Sequence, residues 1–110
     1  MNRVSPRARQ HPAANLFERI EEAVSVAQDL AISRPNGHNE VRVRDELIPS
    51  LYQARTYIEV GRFADPEVRG GLSSALSVAY RLADEDRAYN RLVNRLRVLL
   101  EDAELLARPK

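Results

Sequence analysis

The chain contains no cysteine and no tryptophan, and each absence closes off chemistry. Without thiols there is no disulfide framework, no zinc–cysteine site and no thiol nucleophile. With aromatics at only 5% of 110 residues, the interior has to be assembled from Leu, Val, Ile and Ala. That palette suits closely packed helices better than a sheet. No apolar run approaches the ~20 residues that a membrane-crossing helix needs. Residues 1–12 hold no hydrophobic stretch behind their arginines, so they do not read as a secretory signal. These absences lead to the expectation of a cytoplasmic protein with no membrane partner.

Lysine is nearly missing too: Lys110 is the only one among seventeen basic residues. A coding bias toward arginine accounts for this more simply than a demand for guanidinium groups. The net charge of +1 hides an asymmetry. Five basic residues lie in the ends, Arg3, Arg7, Arg9, Arg108 and Lys110, which leaves twelve basic against sixteen acidic residues in 13–107. A nucleic-acid-binding domain usually shows the reverse, a basic face on the folded part.

What is present is a folded composition, 44% apolar and 30% charged, in a chain of one-domain size. A chain of this length buries roughly two-thirds of its unfolded surface, so a core without covalent staples is reasonable. Residues 1–12, with two prolines and no apolar periodicity, read as a disordered, flexible basic tail. Residues 13–107 read as one helical domain and 108–110 as a short C-terminal tail.

Leu16, Ile20, Ala23, Ala27 and Leu30 recur three or four apart, with Glu18, Glu22, Ser25 and Asp29 on the opposite side. This predicts an amphipathic helix from Pro12 or Ala13 to about Ser33, stopped by Arg34-Pro35-Asn36-Gly37. A second stripe, Val43, Leu47, Leu51, Ala54 and Ile58, is interrupted by Pro49, which costs ~3 kcal/mol inside a regular helix. Two solutions fit: a helix that begins near Ile48 after an irregular piece, or one from about Asn39 with a kink. Gly61 to Ala64 reads as a loop.

Asp65-Pro66-Glu67 predicts a third helix start: an N-cap acceptor, proline at the first position, and an acid where the helix dipole favours it. Val68, Leu72, Leu76, Ala79 and Ala83 then face inward. Gly70 and Gly71 weaken its first turn, so regular helix is expected only from Leu72. The final stripe, Tyr89, Leu92, Val93, Leu96, Leu99, Leu100, Ala103 and Leu106, is the strongest. Nothing between Leu72 and Arg108 forbids one long helix, but the phase of this stripe differs from the preceding one, which favours a break near Asp84. The fold expected is all-α, an antiparallel three- or four-helix bundle with a flexible basic N-terminal tail.

No catalytic constellation accompanies this pattern. His11 falls in the tail and His38 in a turn, neither beside a second ligand at metal spacing. Glu18, Glu21 and Glu22 form an outward acidic patch without the inward Glu-x-x-His of di-iron bundles. Gly70-Gly71 lacks the strand and the Lys-Ser/Thr of a phosphate loop. Ser73, Ser74 and Ser77 have no base to activate them, and the tyrosines are expected at core edges with their hydroxyls reaching water. The chain therefore reads as a non-enzyme with no cofactor and no metal.

Two features stand above the background, both on the last helix. Arg87, Arg91 and Arg95 form an i, i+4, i+8 row that could grip phosphates or an acidic partner, or pair with the acids of helix one. Val98 and Leu105 lie seven apart, opposite the main apolar seam and in line with Arg87, Arg91 and Asn94. A helix apolar on two sides sits centrally in a bundle or presents one side to another chain. The expectation is a small interaction protein, an adaptor, inhibitor or regulatory subunit. It would bind a protein partner or itself through Arg87, Arg91, Asn94, Arg95, Val98 and Leu105. The competing expectation is nucleic-acid binding by the basic tail and the arginine row, disfavoured by the acids Asp84, Glu85 and Asp86 directly upstream.

Overall fold

Helix-forming stripes separated by capping signals produce a chain whose described residues are almost entirely helical and include no strand. The computed structural model describes residues 12–34 and 37–108. The chain runs through α1 (Pro12–Ser33), α2 (Gly37–Arg42), a π turn (Val43–Leu47), α3 (Ile48–Glu59), α4 (Pro66–Glu85), a 3₁₀ turn (Arg87–Tyr89) and α5 (Asn90–Ala107). Since α2, the π turn and α3 follow without a gap, four helical rods result. The expected disordered tail lies outside the described residues except for Pro12, which opens α1 and moves that boundary by one residue. Of 108–110, only Arg108 is described. Its extended backbone (φ −70°, ψ 136°) terminates α5.

Pro49 is accommodated by the π turn. Proline in an α-helix collides with the carbonyl four residues back and leaves it without a donor. Here the amide of Ile48 reaches five residues back to the Val43 carbonyl, which widens the turn ahead of the ring. The Ser50 hydroxyl donates to the Glu46 carbonyl at 2.8 Å. Pro49 thus falls in the first turn of α3 rather than inside a regular helix. Both sequence solutions were half right. A helix does begin at Ile48, and the piece before it is helical as well.

Each rod end follows its local chemistry. Gly61 adopts φ +83°, its amide donates to the Ile58 carbonyl, and the Arg62 amide donates to the Tyr57 carbonyl. This is the paired closure that a left-handed residue after a helix provides. Asp65 accepts from the Glu67 amide at 2.9 Å, with Pro66 next in line. Regular helix then runs unbroken through Gly70 and Gly71, so the glycines are not a loosened start as the sequence suggested. Gly71 instead permits close approach of α3, for a β-carbon there would lie 2.6 Å from the Ser50 carbonyl oxygen. The break between α4 and α5 falls at Asp86 (φ −144°, ψ 112°), two residues beyond the expected position. Asp86 accepts from the Ala88 amide at 3.0 Å and so starts the turn that leads into α5.

Packing joins α1 to α3 and α5, and α4 to α3 and α5. Polar pairs decorate these seams. Near its start, α1 places Arg19 2.5 Å from Asp102 late in α5; just past its end, Arg34 pairs with Asp86 ahead of α5. Glu21 of α1 pairs with Arg55 of α3, and Gln53 of α3 with Glu67 of α4. One core runs through all of it. Leu16, Ile20, Leu47, Leu51, Leu72, Leu82, Leu92, Leu96 and Leu99 are each fully buried. The expected Leu76 and Ala83 are only half-buried, because Ala75, Val78 and Leu82 take the innermost line of α4.

Candidate functional site

The proposed surface residues fall on the 3₁₀ turn and α5. Arg87 stands on the turn, whereas Arg91, Asn94, Arg95, Val98 and Leu105 belong to α5, and all six are exposed. The arginine row is not a straight ladder. A 3₁₀ turn advances farther around the axis per residue than an α-helix, so Arg87 is rotated away from the line of Arg91 and Arg95. Arg95 is drawn toward α1 and pairs with Glu22 at 3.1 Å, which realises the intramolecular alternative. Arg87 and Arg91 have no ion-pair partner among the described residues.

The apolar pair remains exposed on α5. Val98 is 47% and Leu105 58% exposed, two helical turns and about 10.5 Å apart along the axis. The opposite side of α5 buries Leu92, Val93, Leu96, Leu99 and Ala103. At about 100° per residue, Asn94, Val98 and Leu105 share the side that faces away from the core. The structure therefore gathers three of the six residues onto one outward strip, keeps Arg91 at its edge, and diverts Arg87 and Arg95.

Sequence reasoning missed a second group, at the seam of α1 and α3. The Arg55 guanidinium lies 4.3 Å from the Tyr52 ring centroid and 5.9 Å from that of Phe17 while pairing with Glu21. The pair holds the Arg55 pKa above its ordinary value, chiefly through the hydrogen bond to Glu21. Stacking of this kind on aromatic faces is a packing role for arginine. Its only sequence signal was the i, i+3 spacing of Tyr52 and Arg55.

Two open clefts flank α1. One, about 450 Å³, is lined by Glu21, Glu22, Ser25, Val26 and Arg95. The other, about 390 Å³, lies between the end of α1 and the π turn, with Asp29, Ile32, Glu40, Val43 and Ile48 in its walls. Ser25 is the sole hydroxyl in the first, and its neighbours supply no imidazole base. Among the described residues there is no group of three or more His, Cys, Asp or Glu that could hold a metal ion, and no helix long and apolar enough to cross a membrane.

Two buried features depart from expectation. Tyr89 is fully buried rather than at a core edge, and its hydroxyl has no hydrogen-bond partner among the described residues. Burial pushes its pKa above the ordinary value. Asn39, in a segment that reads as a turn, is also buried, at 3% exposure.

Among the described residues, fold and site together define an all-helical chain of four helical rods with a partly apolar outer strip on α5. Comparison with known proteins finds no family model, no curated relative and no solved structure that matches the chain.

Proposed function

We propose that the chain is an antiparallel four-helix bundle acting as a non-enzymatic interaction module, an adaptor, inhibitor or regulatory subunit that docks a protein partner or a second copy on the outer face of α5. The observation that carries this is the exposure of Val98 and Leu105, two turns apart on a helix whose opposite side already fills the core. Exposed aliphatic residues are common singly. A pair in register on one face offers a partner helix two anchors, at the spacing that helix-in-groove recognition uses. The opposed order of the pairs Arg19–Asp102 and Arg34–Asp86 supports the antiparallel course. A cytoplasmic home is part of this proposal, and the lack of cysteine is compatible with it.

The test is a double substitution, Val98→Glu with Leu105→Glu. Both side chains are exposed, so circular dichroism and the melting temperature should be nearly unchanged. Binding should fall sharply, whether read as light-scattering mass or as capture of partners from lysate. Undiminished binding by a folded double variant rules out this face.

A second reading, nucleic-acid binding, rests on Arg87 and Arg91 being exposed without ion-pair partners among the described residues. The tail arginines that would assist, Arg3, Arg7 and Arg9, lie outside the described residues. This reading predicts a mobility shift that weakens steeply with salt. No shift at low salt would end it.

A further inference from the structure

We propose that the partner of the α5 outer face is a second copy of this chain, with the two α5 helices packed antiparallel about a two-fold axis beside Glu101. This rests on the reading of that face as a docking surface and adds the occupant and its register.

The charge order along the face carries the argument. Arg97, Val98, Glu101, Glu104 and Leu105 are all exposed. The basic residue precedes the apolar pair and both acids lie between its members. Arg97 makes only a 3.5 Å hydrogen bond to Asn94, and Glu101 and Glu104 have no ion-pair partner among the described residues. A parallel pairing would set the flank of Arg97 and Glu104 against the partner's opposite flank, whose Arg95 and Asp102 are already paired within the chain. An antiparallel pairing sets Val98 on the partner's Leu105 and Leu105 on the partner's Val98. Arg97 and Glu104, also seven apart, lie on one flank of that strip, and antiparallel helices bring like flanks together. Arg97 then meets the partner's Glu104, and symmetry repeats the pair. A self-complementary patch of this kind is what a two-fold interface requires.

The other flank is already neutralised within the chain, since Arg95 is held by Glu22 and Asp102 by Arg19. Only Glu101 opposes its own copy, close to the axis. With two aliphatic anchors per copy the apolar centre is small, so the association is weak, on the order of micromolar or weaker.

Sedimentation equilibrium of the full chain, with circular dichroism as a fold control, tests the register. Wild type should dimerise at high micromolar concentration. Arg97→Glu or Glu104→Arg alone should each weaken the dimer about tenfold or more. An equimolar mixture of those two variants should regain it, because each mixed pair restores two opposite-charge contacts. Glu101→Gln should tighten the dimer. A dimer indifferent to both reversals, yet lost in Val98→Glu, overturns this register and leaves the face intact as a docking surface. A monomeric wild type that captures a different protein through Val98 and Leu105 overturns the second copy alone. A dimer that survives Val98→Glu with Leu105→Glu overturns both.

Discussion

At the residue scale the two adjacent glycines of α4 have opposite meanings. Nothing lies within 4 Å of where a β-carbon on Gly70 would sit, whereas on Gly71 it would press on the backbone of Ser50 and Ala54. Gly70→Ala should therefore stabilise by ~0.5–1 kcal/mol through helix propensity. Gly71→Ala should destabilise by ~1–3 kcal/mol by forcing α3 and α4 apart. Urea unfolding of both variants checks the pair, and equal effects would contradict the packing described. Asp86 offers a second test. The Arg34 guanidinium, then the Ala88 amide, hold its carboxyl below the ordinary range. A depressed folded pKa contributes stability that is complete above the unfolded value near 3.8 and is lost as pH falls through the folded one. Asp86→Asn keeps a capping oxygen and removes the charge. Its stability should fall less steeply below about pH 4 than that of wild type, measured as midpoint against pH.

The π turn belongs to the scale of the element, and it explains the spacing of the second stripe. Asn39, Val43, Leu47 and Leu51, all buried, are separated by three steps of four residues, after which Ala54 and Ile58 follow at three and four. An α-helix alternates threes and fours along a straight stripe, so the run contains one residue too many. A π turn absorbs that residue and keeps both flanks facing the core. Deleting Asp45 should therefore leave a regular helix with the same buried face. The deletion alone, however, brings Pro49 into a regular interior and should cost ~3 kcal/mol. In a Pro49→Ala background the deletion should cost far less, a non-additivity that a double-mutant cycle on chemical unfolding reads directly. Additive effects would mean that the turn serves something other than the proline. Much of the fold was legible from such spacings: the α1 stripe and the Asp65 cap are where the periodicity and capping rules put them. The π turn is not, because steps of four residues fit an ordinary helical stripe equally well. The stripe puts Tyr89 on the inward side of the last helix, but only the neighbouring helices decide whether a tyrosine sits at an edge or in the middle. The strip on α5 could be read because its exposure follows from phase alone. The pairing of Arg95 with Glu22 could be anticipated only as an alternative, because it depends on which helix lies alongside.

At the scale of the whole molecule, stability is shared rather than local. The polar seams are mostly solvent-accessible: the Arg19 and Asp102 side chains retain 31% and 35% exposure, and ion pairs in such settings contribute at most ~1 kcal/mol each. Most of the stabilisation comes from the common core, to which every rod contributes fully buried side chains. α1 packs on α3 and α5 rather than on α4, so removing either neighbour uncovers part of its buried face. No pair of helices encloses its own apolar interior, and unfolding should be all-or-none. Tyr89 gives an internal probe because it is fully buried at the start of α5 while Tyr80 is 49% exposed on α4. In a chain without tryptophan, tyrosine emission reports core packing and far-ultraviolet circular dichroism reports helix content. The two denaturation curves should superimpose at one midpoint, and the calorimetric and van't Hoff enthalpies should agree. If emission changed at lower denaturant than ellipticity, α5 would be leaving the bundle first. A docking helix that detaches before the rest would make the availability of its outer strip a matter of local unfolding, whereas coincident curves tie that strip to the integrity of the entire core.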